Sequence, residues 1–292
     1  MPTAPVIAKV TARDNVLSLY FEDVKAGWEQ WVLLSADRHH DNPRCDRKLE
    51  KRHLDQVLER RGIILDFGDL FCAMQGKYDP RSSMDDIRPG DVGQDYLDRI
   101  VTHAAQDFGP YAQNWLLIGQ GNHETNIRKR HGTDLISNLV HRLNADYGGN
   151  CHVGGYGGWV RFMFKINGTK RRSINLKYHH GAGGGGAVTR GVIQTNRQAV
   201  YLPDASIVVN GHTHDSWHLP LARERLNRAG RVHRDLLHFI RTPGYKDDYG
   251  DGSGGFHIEK WGPPKPLGAA WLRFWYDGTP SRIEVDVTQA VQ

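Results

Sequence analysis

The chain has 292 residues, 39% hydrophobic and 24% charged, with a net charge of +5 and a pI near 9.1. That is enough chain for a sizeable core, and no run approaches the ~18–20 apolar residues a membrane span needs. The small positive excess favours anionic partners without demanding nucleic acid. Three scattered cysteines, Cys45, Cys72 and Cys151, argue against a disulfide framework or a thiolate zinc site.

Met1-Pro2-Thr3-Ala4-Pro5 lacks the basic-then-apolar layout of a secretion signal, so a cytoplasmic protein is expected. Residues 16–21 alternate in part and predict an early strand. Trp31-Val32-Leu33-Leu34 is a continuous apolar run, as in a strand buried on both faces. A helix is predicted over residues 47–61, closed by Gly62 in a left-handed terminus. Ile63-Ile64-Leu65 is the next strand, and residues 79–91 read as a loop.

Tyr96, Ile100, Val101, Ala104 and Phe108 share a helical stripe. Trp115-Leu116-Leu117-Ile118 is another buried strand, and Leu135, Leu139, Val140 and Leu143 mark another helix. The Asn167-Gly168 pair between residues 159–166 and 173–178 signals a hairpin. A glycine-rich loop (181–187), a helix over 188–200 and a strand over 207–209 follow. Two strands are predicted around residues 227–230, then a Gly/Pro-rich surface loop (245–266) and two closing strands. Early strands alternate with helices while later ones come as hairpins, so mixed sheets with helices outside are expected. No composition shift divides the chain, and a single domain over 1–292 is expected.

One event recurs at five apolar strand ends. They deliver Asp37-x-His39, Gly68-Asp69, Gly121-Asn122-His123-Glu124, His180-Gly181 and Gly211-His212-x-His214. Carboxyl ends of strands in α/β sheets converge on a ligand crevice, and the glycines permit sharp turns there. Mixed carboxylate, amide and imidazole donors suit borderline divalent ions: Mn²⁺ first, with Fe²⁺, Zn²⁺ or Ni²⁺ as alternatives. Adjacent strand residues face opposite ways, and His180 shares parity with Ile174, Leu176 and Tyr178. His180 is therefore chosen over His179.

The ordered series from Asp37 to His214 resembles the calcineurin-like metallophosphoesterase superfamily. The resemblance implies a four-layer α/β sandwich of two mixed sheets with two divalent metal ions at its edge. Asp37, His39, Asp69 and His214 would hold the first ion, and Asp69 (bridging), Asn122, His180 and His212 the second. His123 would be the catalytic imidazole that protonates the leaving oxygen, while a bridging hydroxide attacks phosphorus. Glu124 is expected to orient a neighbouring imidazole. Arg38, His40 and His179 are expected behind the ligands or on the substrate side. His218 and His257 are placed nearer the cleft, and the remaining histidines are read as surface or packed residues.

Phosphoprotein phosphatases carry Val-Asp-Arg-Gly after the Gly-Asp element. Here Leu70-Phe71-Cys72-Ala73-Met74 follows, so the phosphate-gripping arginine of that motif is missing. The layout looks more like the phosphodiesterase and repair-nuclease branches. The expected substrate is a phosphodiester of DNA, RNA or a nucleotide. The alternatives are a broad phosphomonoesterase and an inert metal-stabilised binding module. Neither a membrane nor an obligate protein partner is readable.

Overall fold

The computed structural model describes residues 4–74, 82–184, 186, 188–254, 256–278 and 282–292. Residues 79–81 of the predicted loop, Gly185 and Ala187 of the glycine-rich loop, and Gly255 lie outside this set. Strands β1 (Lys9–Arg13), β2 (Val16–Val24), β3 (Trp28–Ser35), β4 (Ile63–Asp66) and β5 (Trp115–Ile118) open the chain. Among them stand helices α1 (Arg47–Glu59) and α2 (Tyr96–Phe108), followed by α3 (Asn122–His131) and α4 (Leu135–Tyr147). Then come β6 (His152–Val153), β7 (Gly157–Ile166), β8 (Lys170–His179), α5 (Val192–Tyr201) and β9 (Ile207–Asn210). The chain finishes with β10 (Trp217–Leu226), β11 (Val232–Arg241), α6 (Phe256–Glu259), β12 (Gly268–Tyr276) and β13 (Glu284–Val291).

The strands form two mixed sheets, one ordered β1-β2-β7-β8-β9-β11-β10 and the other β13-β12-β3-β4-β5-β6. β3, β4 and β5 run parallel, as do β8, β9 and β11, and all of these but β11 carry one of the five polar clusters at or near the carboxyl end. Leu17, Leu19 and Phe162 of one sheet meet Val32, Leu65 and Phe274 of the other, forming the core between them. On the outer face of the second sheet, Leu33, Ile64 and Trp115 pack with Leu54, Ile100 and Leu139 of α1, α2 and α4. Val208 and Phe239 of the first sheet carry Ala199 of α5 and Leu202 just after it. Helix, sheet, sheet, helix: the fold is a four-layer α/β sandwich. β4, β5 and β9 are buried at every residue, which is why their sequences are unbroken apolar runs rather than alternating ones.

The sequence reading needs correction in several places. α1 is closed by Arg61, whose φ is +48°, and not by Gly62. Gly62 N–H reaches back 2.8 Å to Val57 O, so the glycine is the residue after the left-handed one. α5 starts at Val192, four residues later than expected. The segment expected as a surface loop from residue 245 begins inside: Tyr245, Lys246 and Asp248 are buried. The Tyr245 ring lies 4.9 Å from the Arg38 guanidinium, and its hydroxyl is 2.9 Å from His53 Nδ1. Those partners are distant in sequence, and composition alone could not show them.

Candidate metal centre

The five strand-end clusters meet at one edge of the sandwich. Gly68, with φ +104°, has no room for a side chain: a Cβ there would stand 2.4 Å from Gly121 N. A Cβ on Gly121 would stand 2.0 Å from Asp69 Oδ1. Backbone thus packs on backbone, which brings the Asp69 and Asn122 loops together. Asn122 opens α3, and Glu124 accepts hydrogen bonds from the N–H groups of Gly121 (2.8 Å), Asp69 (3.1 Å) and Phe71 (2.9 Å). Glu124 therefore ties two loops together and does not orient an imidazole as the sequence reading expected. Its short reach into backbone donors that the helix start leaves open explains the difference.

Two donor groups result. The candidate ligand atoms of Asp37, His39 and His214 all lie within 4.8 Å of one another, and so do those of Asp69, His180 and His212. His180 Nε2 is 3.1 Å from Asp69 Oδ2 and 3.2 Å from Asn122 Oδ1, which adds the amide to the second group. His180 also lies 4.0 Å from Asp37 Oδ1, so the two groups are neighbours. His214 Nε2 is 3.4 Å from that same Oδ1. His123 Nε2 stands 3.8 Å from Asp69 Oδ2, and its Nδ1 is 2.5 Å from Cys72 O.

The backbone at this edge is strained. Asp37, His39, Asp69, His212 and His214 all have positive φ, between +46° and +72°. Each such residue costs on the order of 1–3 kcal/mol and persists only where surroundings or function impose it. Asp14, Arg61, Ala73, Asn167, Arg190 and Trp261 share the feature elsewhere in the chain, but at this edge it occurs in donors of both groups.

Charges at the site are mutually dependent. Burial disfavours the His180 imidazolium, yet Asp69 outweighs it and its pKa is pushed up to about 10. Burial also opposes charge on His214, and Asp37 overcomes it, raising its pKa. Burial would lift Asp69, but His123 and His180 hold its carboxyl well below the usual range. His39 is driven well below its ordinary value by burial and by its neighbours His123 and His214. His212 is lowered by burial and by His180.

Divalent cations fit this set. His39 Nδ1 is buried without a hydrogen-bond partner among the described residues, and Asp37 Oδ1 has only the ion-pair approaches of His214 at 3.4 Å and His180 at 4.0 Å, an arrangement that is costly unless something else satisfies them. The donors are hard oxygens and borderline imidazoles, as the ions expected from the sequence prefer.

Other predicted residues fall elsewhere. Arg38 is fully buried beneath the site, bonded to Asp66 (2.9 Å) and Glu50 (2.8 Å). His40 is buried between Glu50 (2.7 Å) and Asp107 (2.9 Å). Both are buried and hold the loop from behind. His179 lines a side cavity and accepts the Gly181 N–H at 3.1 Å. His218 stacks on His238, away from the cleft, whereas the His257 ring lies 6.3 Å from that of His214. Sequence reasoning missed Tyr156, whose hydroxyl bonds Gly181 O at 2.8 Å and whose ring packs on His180. It also missed Arg241, the last residue of β11. Arg241 sits beside Asn210 in register, and that strand-end position was the signal available.

No protein-family model matches the chain, and no curated protein matches it in sequence. Among solved structures it is similar to a conserved uncharacterized protein of Streptococcus pneumoniae TIGR4, described as a predicted phosphoesterase. Identity is 11% and the TM-score 0.33, covering 90% of this chain and 100% of that one. It is also similar to Vps29 of Entamoeba histolytica, crystallised with Zn²⁺, at 10% identity and TM-score 0.27 over 89% and 99% of the two chains. The architecture itself stands on the sheet order and layering above. Among the described residues, no helix is long and apolar enough to cross a membrane.

Proposed function

We propose that the chain is a member of the calcineurin-like metallophosphoesterases and a dinuclear-metal-dependent phosphodiesterase acting on a nucleic acid or nucleotide. The observation that carries this reading is the adjacency of the two donor groups, joined by the Asp69–His180 and Asp37–His180 approaches, with His123 beside them. Asp37, His39 and His214 would hold one ion, and Asn122, His180 and His212 the other, with Asp69 between. Two such ions supply Lewis acidity toward a phosphoryl oxygen and make a water nucleophile accessible near neutral pH.

The protein's own part is positioning and proton transfer. His123 is fixed by Cys72 O at Nδ1, which leaves Nε2 facing Asp69 and the site. An Nδ1–H donated to that carbonyl places the exchangeable proton of the imidazolium on Nε2, where a leaving oxygen can take it. Glu124 holds the Asp69 loop against α3, and the buried Arg38 braces the Asp37 loop through Asp66 and Glu50. Manganese is the first ion to test.

The reading is tested by comparing bis-p-nitrophenyl phosphate with p-nitrophenyl phosphate under Mn²⁺, with Asp69→Ala as the blank. Faster cleavage of the diester is expected. Faster cleavage of the monoester would move the assignment to a phosphomonoesterase, and no EDTA-sensitive cleavage of either would leave a binding module.

A further inference from the structure

Beside the Asp69, His180 and His212 group lies a cavity of about 320 Å³ between the ends of β8, β9 and β11 and the helix α5. Its walls include His179, Asn210 and Arg241 from the sheet and Gln194, Gln198 and Tyr201 from the helix. The helix residues recur at i, i+4 and i+7, so they share one face. Polar Gln194 and Gln198 thus look onto a cavity, while apolar Ile193 and Val200 are 54% and 84% exposed. The helix packs on the sheet through Thr195 and Ala199, and the glutamines stand beside that contact at the cavity wall.

Arg241 is 4% exposed. Its Nη1 donates to Gly211 O at 2.7 Å, the residue before His212, and its guanidinium lies 5.5 Å from the Trp217 ring. Its Nε is buried with no hydrogen-bond partner among the described residues, and so is Oε1 of Gln198 on the facing helix. A buried guanidinium donor left open is expensive, and so is an open amide oxygen. Burial also draws the Arg241 pKa below its ordinary value, against the pull of Asp37 and Asp215. No carboxylate is among the residues lining the cavity, and Arg197 adds a second cation at its wall.

We propose that this cavity is a subsite for a second phosphate of the substrate, held by Arg241, with Gln198 accepting a hydrogen bond from the attached nucleoside. The proposal rests on the phosphodiesterase reading of the adjoining centre. A second phosphate is shared by two sources, the next linkage of an oligonucleotide and the distal group of a nucleoside diphosphate ester.

The first test needs no catalysis. EDTA-treated protein is titrated calorimetrically with thymidine 3′,5′-bisphosphate and with thymidine 5′-monophosphate. The bisphosphate is expected to bind more tightly. Arg241→Gln should cost it about ten-fold or more in affinity, as for losing a charge-assisted hydrogen bond, and Arg241→Lys should restore part. Gln198→Leu leaves the Arg241–Gly211 bond in place and should also weaken binding. Equal affinities for the two ligands, or a bisphosphate affinity untouched in Arg241→Gln and Gln198→Leu, would overturn the proposal. In the metal-loaded protein, kcat/KM is then compared for a dinucleotide with and without a terminal phosphate and for a nucleoside diphosphate ester. The arm whose preference collapses in Arg241→Gln names the source, and no preference in either arm also overturns the subsite. Arg241-dependent binding without any hydrolysis would instead sink the phosphodiesterase reading alone.

Discussion

His180 Nε2 and Asp69 Oδ2 lie 3.1 Å apart although 111 residues separate them in sequence. The contact joins a loop of one sheet to a strand end of the other, so the centre spans the seam of the sandwich. The two groups approach as an ion pair, each favouring the charged form of the other. Bound cations would replace that pairing, and in the proposed arrangement Asp69 would stand between the two ions.

Asp69→Asn should therefore reduce metal stoichiometry and not merely the rate. Plasma emission spectrometry after Mn²⁺ loading and desalting is expected to find about two ions in the wild type and fewer in the variant, given the two-metal arrangement. Equal stoichiometry would remove Asp69 from the ligand set.

His123 belongs to a different class of effect. Its Nδ1 is engaged by Cys72 O, and it lies outside the two donor groups above, although a ligand atom of it comes within 4.8 Å of those of His39 and Cys72. His123→Ala should keep the metal content and lose roughly 10²–10⁴-fold in kcat, the usual worth of a general acid. The loss should shrink for a substrate whose leaving group is a good one, such as p-nitrophenolate, because that oxygen needs little protonation. A uniform loss across leaving groups would point to misplacement of the site instead.

The strained backbone yields a prediction about stability. Asp69 has φ +53°, where glycine rests without penalty and alanine does not. Asp69→Gly and Asp69→Ala delete the same carboxylate, so their difference isolates the conformational cost. The glycine variant is expected to unfold at higher urea concentration, by about 1 kcal/mol, the usual cost of a left-handed alanine. An alanine variant of equal or greater stability would mean that the loop relaxes to another conformation.

How much of this was legible follows from which residues signal locally. The runs Ile63-Ile64-Leu65 and Trp115-Leu116-Leu117-Ile118 announce strands buried on both faces, and polar triplets after them announce a crevice. The choice of His180 over His179 came from strand parity, and the buried side chains of Leu176, Tyr178 and His180 follow that parity. What stayed hidden depends on partners far along the chain. Glu124 meets Phe71, Arg38 lies under Tyr245, and His40 is closed off by Asp107. Each is a polar residue beside a motif, and nothing in the sequence says which way it turns. Arg241 was hidden because a strand-end arginine looks like any solvated charge until α5 is folded over it.

Glu124 should prove structural as much as functional. Glu124→Ala leaves the N–H groups of Asp69, Phe71 and Gly121 without their acceptor, at about 1–3 kcal/mol for each buried donor. Glu124→Gln keeps one acceptor oxygen and should fall between. Denaturant unfolding of the three proteins checks the order, and a Glu124→Ala protein as stable as Glu124→Gln would show that water replaces the carboxylate.

The acid limb of the stability curve draws on two buried groups that are not among the proposed metal donors. Burial and the neighbouring His218 lower His238 from 6.5 to about 4. The unfolded chain takes up that proton first, so stability falls as pH drops from about 6.5 toward 4 and then levels off. Burial would raise Glu50, but His40 and Arg38 outweigh it and bring its carboxyl to about 2, from 4.5. Its contribution is present above pH 4.5 and is lost as pH falls toward 2, by about 3 kcal/mol for a shift of that size. Urea midpoints measured in EDTA should therefore decline in two stages. Burial and Arg38 bring His53 to about 4 as well, so His238→Gln should shrink the upper stage and leave the lower one. Glu50→Gln should be less stable at pH 7, because Arg38 loses a carboxylate, and should flatten the lower stage. An upper stage unchanged in His238→Gln would exclude the buried neutral state of His238.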